Sequence, residues 1–333
     1  MLPAIFGLSG PTLGDDERAF FRAADPAGYI LFARNIVDPR KLRALTDDLR
    51  DLSGRADLPI LIDQEGGRVV RMGPPHWPAF PATARFAELY ARAPMSAIEA
   101  ARVNAQALAL MLAEAGINVN CLPVLDLAHA GAHDIVGDRA LGSDPMQVAA
   151  LGRALLDGLA AGGCAGVMKH IPGHGRARAD SHETLPVVDA PPEELEADLA
   201  PFRTCRAAPM AMSAHILYPA WDAERPATLS PTIIGEVIRG RIGFQGLLMS
   251  DDLAMKALDA PLASRARGAI AAGCDLVLHC TGRIEENEAI AEALGEIGAE
   301  ARARLDRATA GAGAGEGDFA ALVAKREALL AFA

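Results

Sequence analysis

Eight short apolar runs recur along the 333 residues, most of them followed by a stretch patterned as a helix. This rhythm narrows the fold more than any other feature of the chain. The runs lie at 4–8, 29–32, 60–63, 117–121, 166–169, 210–215, 247–251 and 275–279. Helix-like segments fall between them at 40–52, 96–115, 146–161, 192–206, 230–239 and 262–272, with two more near 283–297 and 318–330. Strands separated by helices pair in parallel, because a right-handed helical crossover returns the chain beside the strand it left. Eight such units predict an α/β fold, a (β/α)8 TIM-type barrel, with residues 1–333 forming a single domain. A doubly wound open sheet is the alternative the same rhythm allows. The hydrophobic share, 51%, is ample for one large core. The glycine- and alanine-rich stretch 311–317 reads as a flexible connection to a last helix rather than a domain boundary.

A barrel of this kind carries its chemistry at the carboxyl ends of its strands. Polar groups collect there. The run at 60–63 leads into Asp63-Gln64-Glu65-Gly66-Gly67-Arg68 and then Arg71. The run at 117–121 is followed by Pro123, Asp126 and, further on, Gly137-Asp138-Arg139. Others end in Lys169-His170, in Ser213 and His215, in Ser250-Asp251-Asp252, and in His279-Cys280. Each has a plainer reading. Asp63 and Asp251 are good helix N-caps, and Arg71 and Arg139 are ordinary surface charges. Asp252 reads as structural, since strand alternation turns it away from Asp251. His76, His129 and His133 lack supporting context and read as loop residues.

The densest stretch is Lys169-His170-Ile171-Pro172-Gly173-His174-Gly175, with Asp180-Ser181-His182 four residues on. Pro172 and the glycines exclude regular helix, so the segment is a loop launched from a strand end. His170 and His174 have the i, i+4 spacing of a zinc helix, with His182 as a third ligand. That spacing works only on a helix face, and the accompanying glutamate is absent. Lys169 alone permits a Schiff-base aldolase, and a non-catalytic sugar-binding barrel would need the polar groups without a nucleophile.

The formal net charge is −11, with no basic cluster, which argues against nucleic acid and anionic membrane as partners. Five scattered cysteines, none in a CxxC pair, read as reduced thiols. The first ten residues lack the basic region of a signal peptide, and no apolar run reaches membrane-spanning length. The expectation is a soluble, cytoplasmic protein acting on a small-molecule substrate.

Taken together, Asp63-Gln64-Glu65-Gly66-Gly67-Arg68, Gly137-Asp138-Arg139, the pattern from Lys169 to His182, and Ser250-Asp251-Asp252-Leu253 resemble family 3 glycoside hydrolases. More narrowly, they resemble the bacterial cytoplasmic β-N-acetylglucosaminidases of peptidoglycan recycling. The motifs occur in the family's order and span most of the chain. The resemblance implies a retaining mechanism, with Asp251 as nucleophile, His182 as general acid and then base, and Asp180 orienting His182. It implies that Asp63, Arg71, Arg139, Lys169 and His170 hold the sugar, and it gives His174 a supporting role in the loop. It implies N-acetylglucosaminyl-anhydromuropeptides as substrates for a monomer that needs neither metal nor other cofactor. The sequence departs from the family at Ile171, where Phe is usual, and at Leu141, where an aromatic is common; both exchanges stay apolar. A β-glucosidase or xylosidase of the same family is the alternative within this reading. An imidazole titrates near pH ~6.5, so it can give and take a proton near neutrality. The glycines around His174 suggest that His182 is delivered by a mobile loop.

Overall fold

A computed structural model describes residues 1–131, 133, 136–313 and 315–331. Eight parallel strands close into a barrel in sequence order: β1 (Leu2–Gly7), β2 (Pro26–Leu31), β3 (Ile60–Ile62), β4 (Val119–Asn120), β5 (Ala165–Ile171), β6 (Met210–Ser213), β7 (Leu247–Asp252) and β8 (Leu276–His279). The last strand pairs with the first through Ala4 and Val277. Around the barrel run α1 (Asp15–Ala24), α2 (Pro39–Ser53), α3 (Ala84–Tyr90), α4 (Pro94–Glu114), α5 (Pro145–Ala161), α6 (Pro192–Thr204), a π-helical segment (Ile233–Ile242), α7 (Leu262–Ala272), α8 (Ile284–Ala293), α9 (Ala299–Thr309) and α10 (Phe319–Leu330). The open-sheet alternative falls, because both sheet edges are consumed in closure.

The strands are buried on both faces, and their alternation sorts side chains into two cores. Ile5, Ile30, Leu61, Val119, Cys121, Val167, Met210, Met212, Leu247, Met249, Leu276 and Leu278 point into the barrel. Phe6, Tyr29, Leu31, Ile60, Ile62, Met168, Ala211, Leu248 and Val277 point out to the helices. Leu305 and Ala308 of α9 join the inner set, so this helix plugs the end of the barrel away from the strand carboxyl termini. The sequence run at 283–297 divides here: α8 stops at Ala293 and α9 begins at Ala299, with Gly295 and Gly298 in the break.

Local chemistry sets the helix starts. Asp38 caps α2 by accepting from the Lys41 amide at 2.8 Å, and Asp144 caps α5 through the Gln147 amide at 2.8 Å, each followed by proline at the first helical position. The stretch 311–317 is not a free tether. The Gly313 and Glu316 amides donate to the Gly163 and Ala161 carbonyls at 2.6 and 3.0 Å, tying the stretch to the end of α5; Ala314 lies outside the described residues. Among the described residues no helix is long and apolar enough to cross a membrane.

Candidate active site

The two-residue period of the strands builds the site. Leu61, Val167 and Met249 face into the barrel, and two residues later the same face carries Asp63, Lys169 and Asp251. All three line a cavity of about 240 Å³ at the strand carboxyl ends. Leu278 leads in the same way to Cys280, and Ile30 to Phe32, both in the cavity wall. An apolar stack thus passes into a polar mouth without any change of fold.

The cationic side of the mouth is a buried ion network. Lys169 Nζ lies 2.9 Å from Asp63 Oδ1 and 2.7 Å from Glu65 Oε1. Arg139 meets Glu65 with both arms, Nε to Oε2 and Nη2 to Oε1, each at 2.8 Å, while Arg71 reaches Asp63 Oδ2 at 3.3 Å. Burial alone would raise the Asp63 carboxyl, but Lys169 and Arg71 hold it down at about 2. Glu65 is likewise lowered against its burial by Lys169 and Arg139. Lys169, which burial would lower, is instead raised by Asp63 and Glu65. Its amine is locked as ammonium, so the Schiff-base reading loses its nucleophile. Neither Asp63 nor Asp251 caps a helix, since the helices that follow them start at Ala84 and Leu262.

Glu65 is the residue that sequence reading passed over as an actor, although it stands two positions beyond Asp63 in the same inward series. At 1% exposure it compensates two cations. Replacing one partner of such a network strands the others. Glu65→Gln is therefore expected to lower stability by about 3–5 kcal/mol in chemical unfolding and to weaken sugar binding. An unchanged unfolding midpoint would refute this account of the network.

Asp126 is the second partner missed. It is fully buried, and its Oδ2 takes His170 Nδ1 at 2.7 Å while Oδ1 accepts the His170 and His174 amides at 3.2 and 2.6 Å. Burial opposes its ionisation, but the two histidines hold it at about 2. The pairing leaves His170 Nδ1 unavailable to a metal, and His170 and His174 do not share a helix face. Gln64 and Asn120 brace the Asp63 loop: the Gln64 amide donates to Asn120 Oδ1 at 3.0 Å, and Gln64 Oε1 accepts the Arg71 and Met72 amides at 2.8 and 3.0 Å.

The segment after β5 has two halves. Pro172 to Gly175 are buried, contrary to a reading in which the glycines loosen the chain. Gly175 packs so tightly that a Cβ there would come within 1.9 Å of the Leu127 carbonyl oxygen. The Gly173 carbonyl accepts the Tyr218 hydroxyl at 2.6 Å, and Arg176 is held by Asp198 at 2.6 Å and Glu194 at 2.7 Å. Asp198 also takes His129 Nε2 at 2.7 Å, so His129 has a partner after all. The outer half carries Asp180-Ser181-His182. Here Asp180 Oδ1 accepts both the backbone amide and the ring Nδ1 of His182, at 2.8 and 2.7 Å. An aspartate reaches the amide two residues on in an Asx turn, and this spacing brings the ring with it. Burial would raise Asp180, and the His182 amide and ring lower it. The His182 side chain is 58% exposed and lines the cavity with Ser181. The Ala257 amide, from the loop after β7, donates to the Ser181 carbonyl at 3.1 Å.

On β7, Asp251 Oδ1 accepts the Asp252 amide at 2.8 Å. Asp252 serves structure: its Oδ1 accepts the Ala254 and Cys280 amides at 3.0 and 3.1 Å. Behind them His215 Nε2 lies 3.0 Å from the Asp252 carbonyl. Among the described residues the cavity therefore brings together every residue singled out from sequence for the sugar site except Asp180, which stands behind His182.

A closed (β/α)8 barrel with an ionised, hydrogen-bonding mouth at its strand carboxyl ends is the architecture of a barrel enzyme. Comparison with known proteins narrows the class. Residues 12–310 match the glycosyl hydrolase family 3 N-terminal domain. A β-hexosaminidase from Alkalilimnicola ehrlichii is 42% identical over 283 residues, covering 84% of this chain and 80% of that one. The crystal structure of NagZ from Neisseria gonorrhoeae in complex with N-trifluoroacetyl-D-glucosamine superposes with a TM-score of 0.85 at 32% identity, covering 99% of this chain and 96% of that one. A family 3 β-N-acetylglucosaminidase from Paenibacillus has a TM-score of 0.83 at 31% identity; this chain is covered to 98% but spans 61% of that longer one. The chain belongs to glycosyl hydrolase family 3. It is a glycoside hydrolase, and the aldolase and non-catalytic readings fall.

Proposed function

We propose that the protein is a retaining exo-β-N-acetylglucosaminidase. It removes terminal N-acetylglucosamine from peptidoglycan-derived muropeptides, the N-acetylglucosaminyl-anhydromuropeptides, in the cytoplasm. It works as a monomer built from one catalytic domain, with no metal or cofactor. The observation that carries the reading is the Asp180–His182 pair at the rim of the cavity that also holds Asp251. Asp251 attacks the anomeric carbon and forms the glycosyl-enzyme. His182 protonates the departing oxygen and then draws a proton from water, with Asp180 fixing its ring through Nδ1. This pair takes the place of the second carboxylic acid that retaining glycosidases usually carry. Asp63, Arg71, Arg139, Lys169 and His170 hold the sugar. The outer half of the loop, 178–184, is the part that moves when it closes over substrate.

The acetamido preference draws on the relatives, among them a NagZ structure holding an N-acylated glucosamine. The test is hydrolysis of an aryl β-N-acetylglucosaminide against the matching aryl β-glucoside. The expected kcat/KM ratio favours the acetamido sugar by at least about 100-fold, because a site built to hydrogen-bond a group rejects the analogue lacking it. Equal rates, or a preference for the glucoside, would move the enzyme to the glucosidase branch. Release of N-acetylglucosamine from an anhydromuropeptide, followed by mass spectrometry, tests the natural substrate.

A further inference from the structure

His174 stands in the wall of the same cavity, yet the chemistry above leaves it without a task. It lies on the buried half of the segment, 4% exposed, with its backbone N–H donating to Asp126 Oδ1 at 2.6 Å. Asp126 also grips His170, so one carboxylate sets both rings, which meet edge to face with centroids 5.6 Å apart. The Nδ1 of His174 is closed off from solvent and has no hydrogen-bond partner among the described residues. A sealed polar atom of this kind is destabilising, and a phenyl ring of the same shape would avoid that penalty. Burial, with the neighbouring His170, pushes the His174 ring down to about 4. At neutral pH it is an uncharged group with one donor and one acceptor nitrogen.

Four polar side chains of the mouth, Asp63, Glu65, Lys169 and Arg139, are ionised and paired with one another. His174 differs from these four in being neutral and in having, among the described residues, no hydrogen-bond partner for its side chain. Since Nδ1 is enclosed, the polar reach of the ring into the cavity is through Nε2. A hydroxyl both donates and accepts, so it satisfies Nε2 in either tautomer, whereas a charged substituent would be desolvated here beside a neutral ring. We infer that His174 is a further substrate-binding residue, its Nε2 forming a hydrogen bond to a ring hydroxyl of the bound sugar. This rests on the cavity being the sugar site.

The test is calorimetric titration with N-acetyl-D-glucosamine, together with steady-state kinetics, of the wild type and three variants. His174→Phe keeps the ring and removes both nitrogens, His174→Gln places its terminal amide near Nε2, and His174→Asn places its amide near Nδ1. His174→Phe is expected to weaken sugar binding by about 10-fold or more and to raise KM more than it lowers kcat. Its melting temperature should equal or exceed that of the wild type. Glutamine should recover most of the affinity and asparagine little. Wild-type affinity in His174→Phe would overturn the inference, as would equal affinity in the Gln and Asn variants. That last comparison decides the matter if His174→Phe does not fold. A wild-type protein that fails to bind the sugar at all would instead remove the sugar-site reading itself.

Discussion

Asp251→Asn is expected to reduce kcat/KM on aryl β-N-acetylglucosaminide by a factor on the order of 10⁴–10⁶, the scale seen when a covalent nucleophile is removed. The fold should survive the change. Asparagine keeps an Oδ1 to accept the Asp252 amide, and Asp252 goes on holding Ala254 and Cys280. A retaining mechanism adds two independent readouts. Proton NMR of the first-formed sugar should show the β anomer, and a slow fluorinated substrate should leave its mass on the peptide containing Asp251. Full activity in Asp251→Asn would end the mechanism, and a first-formed α anomer would end retention. The position leaves little room for a merely structural aspartate. Asp251 is the inward residue that continues Leu247 and Met249. A carboxylate there, 8% exposed in the cavity wall, has among the described residues a single backbone hydrogen bond to show for its burial.

That inward series explains how far the sequence could be read. The eight runs were legible because parallel strands buried on both faces are continuously apolar, and all eight appear in the barrel within a few residues. The cavity-lining residues on them were legible because polarity begins abruptly where the apolar series stops. What escaped was partnership. Asp126 lies 44 residues before His170 and meets it because β4 and β5 are neighbours; no local spacing encodes that. Glu65 follows Asp63 by two, so strand alternation alone pointed to it, but its bonds to Lys169 and Arg139 span 104 and 74 residues of chain. The glycines of the 169–175 segment misled for a related reason. Glycine signals either freedom or close approach, and contact with Leu127, far off in sequence, decides for the second at Gly175. α1 was missed although its signals are local: Asp15, Asp16 and Glu17 fill its first turn, where they complement the helix dipole. At ten residues it is too short for its apolar spacing to stand out.

His182→Ala separates acid from base, and its expected effect depends on the leaving group. For a substrate whose departing oxygen must be protonated, kcat/KM should fall by about 10²–10⁴, the usual worth of a positioned general acid. For a dinitrophenyl glycoside, which departs without help, the first step should be nearly spared, and turnover should then stall at the glycosyl-enzyme for want of a base. Azide, which needs no base, should restore turnover and yield the β-glycosyl azide. Asp180→Asn should reproduce a milder form of the same pattern. Its oxygen can still accept the ring N–H and the backbone amide of His182, but the negative charge beside the ring is gone. Acid and base work in one residue demands an imidazole that reaches the bond from the solvent side, and the 58% exposure of the His182 side chain at the cavity rim meets that demand. The bond from the Ala257 amide to the Ser181 carbonyl ties this loop to the one that follows Asp251, so the proposed acid/base and the proposed nucleophile sit on loops in direct contact. If His182→Ala kept wild-type activity on an unactivated glycoside, or if azide gave no rescue with the dinitrophenyl substrate, His182 would lose its role, and the proton would have to come from another group on the rim.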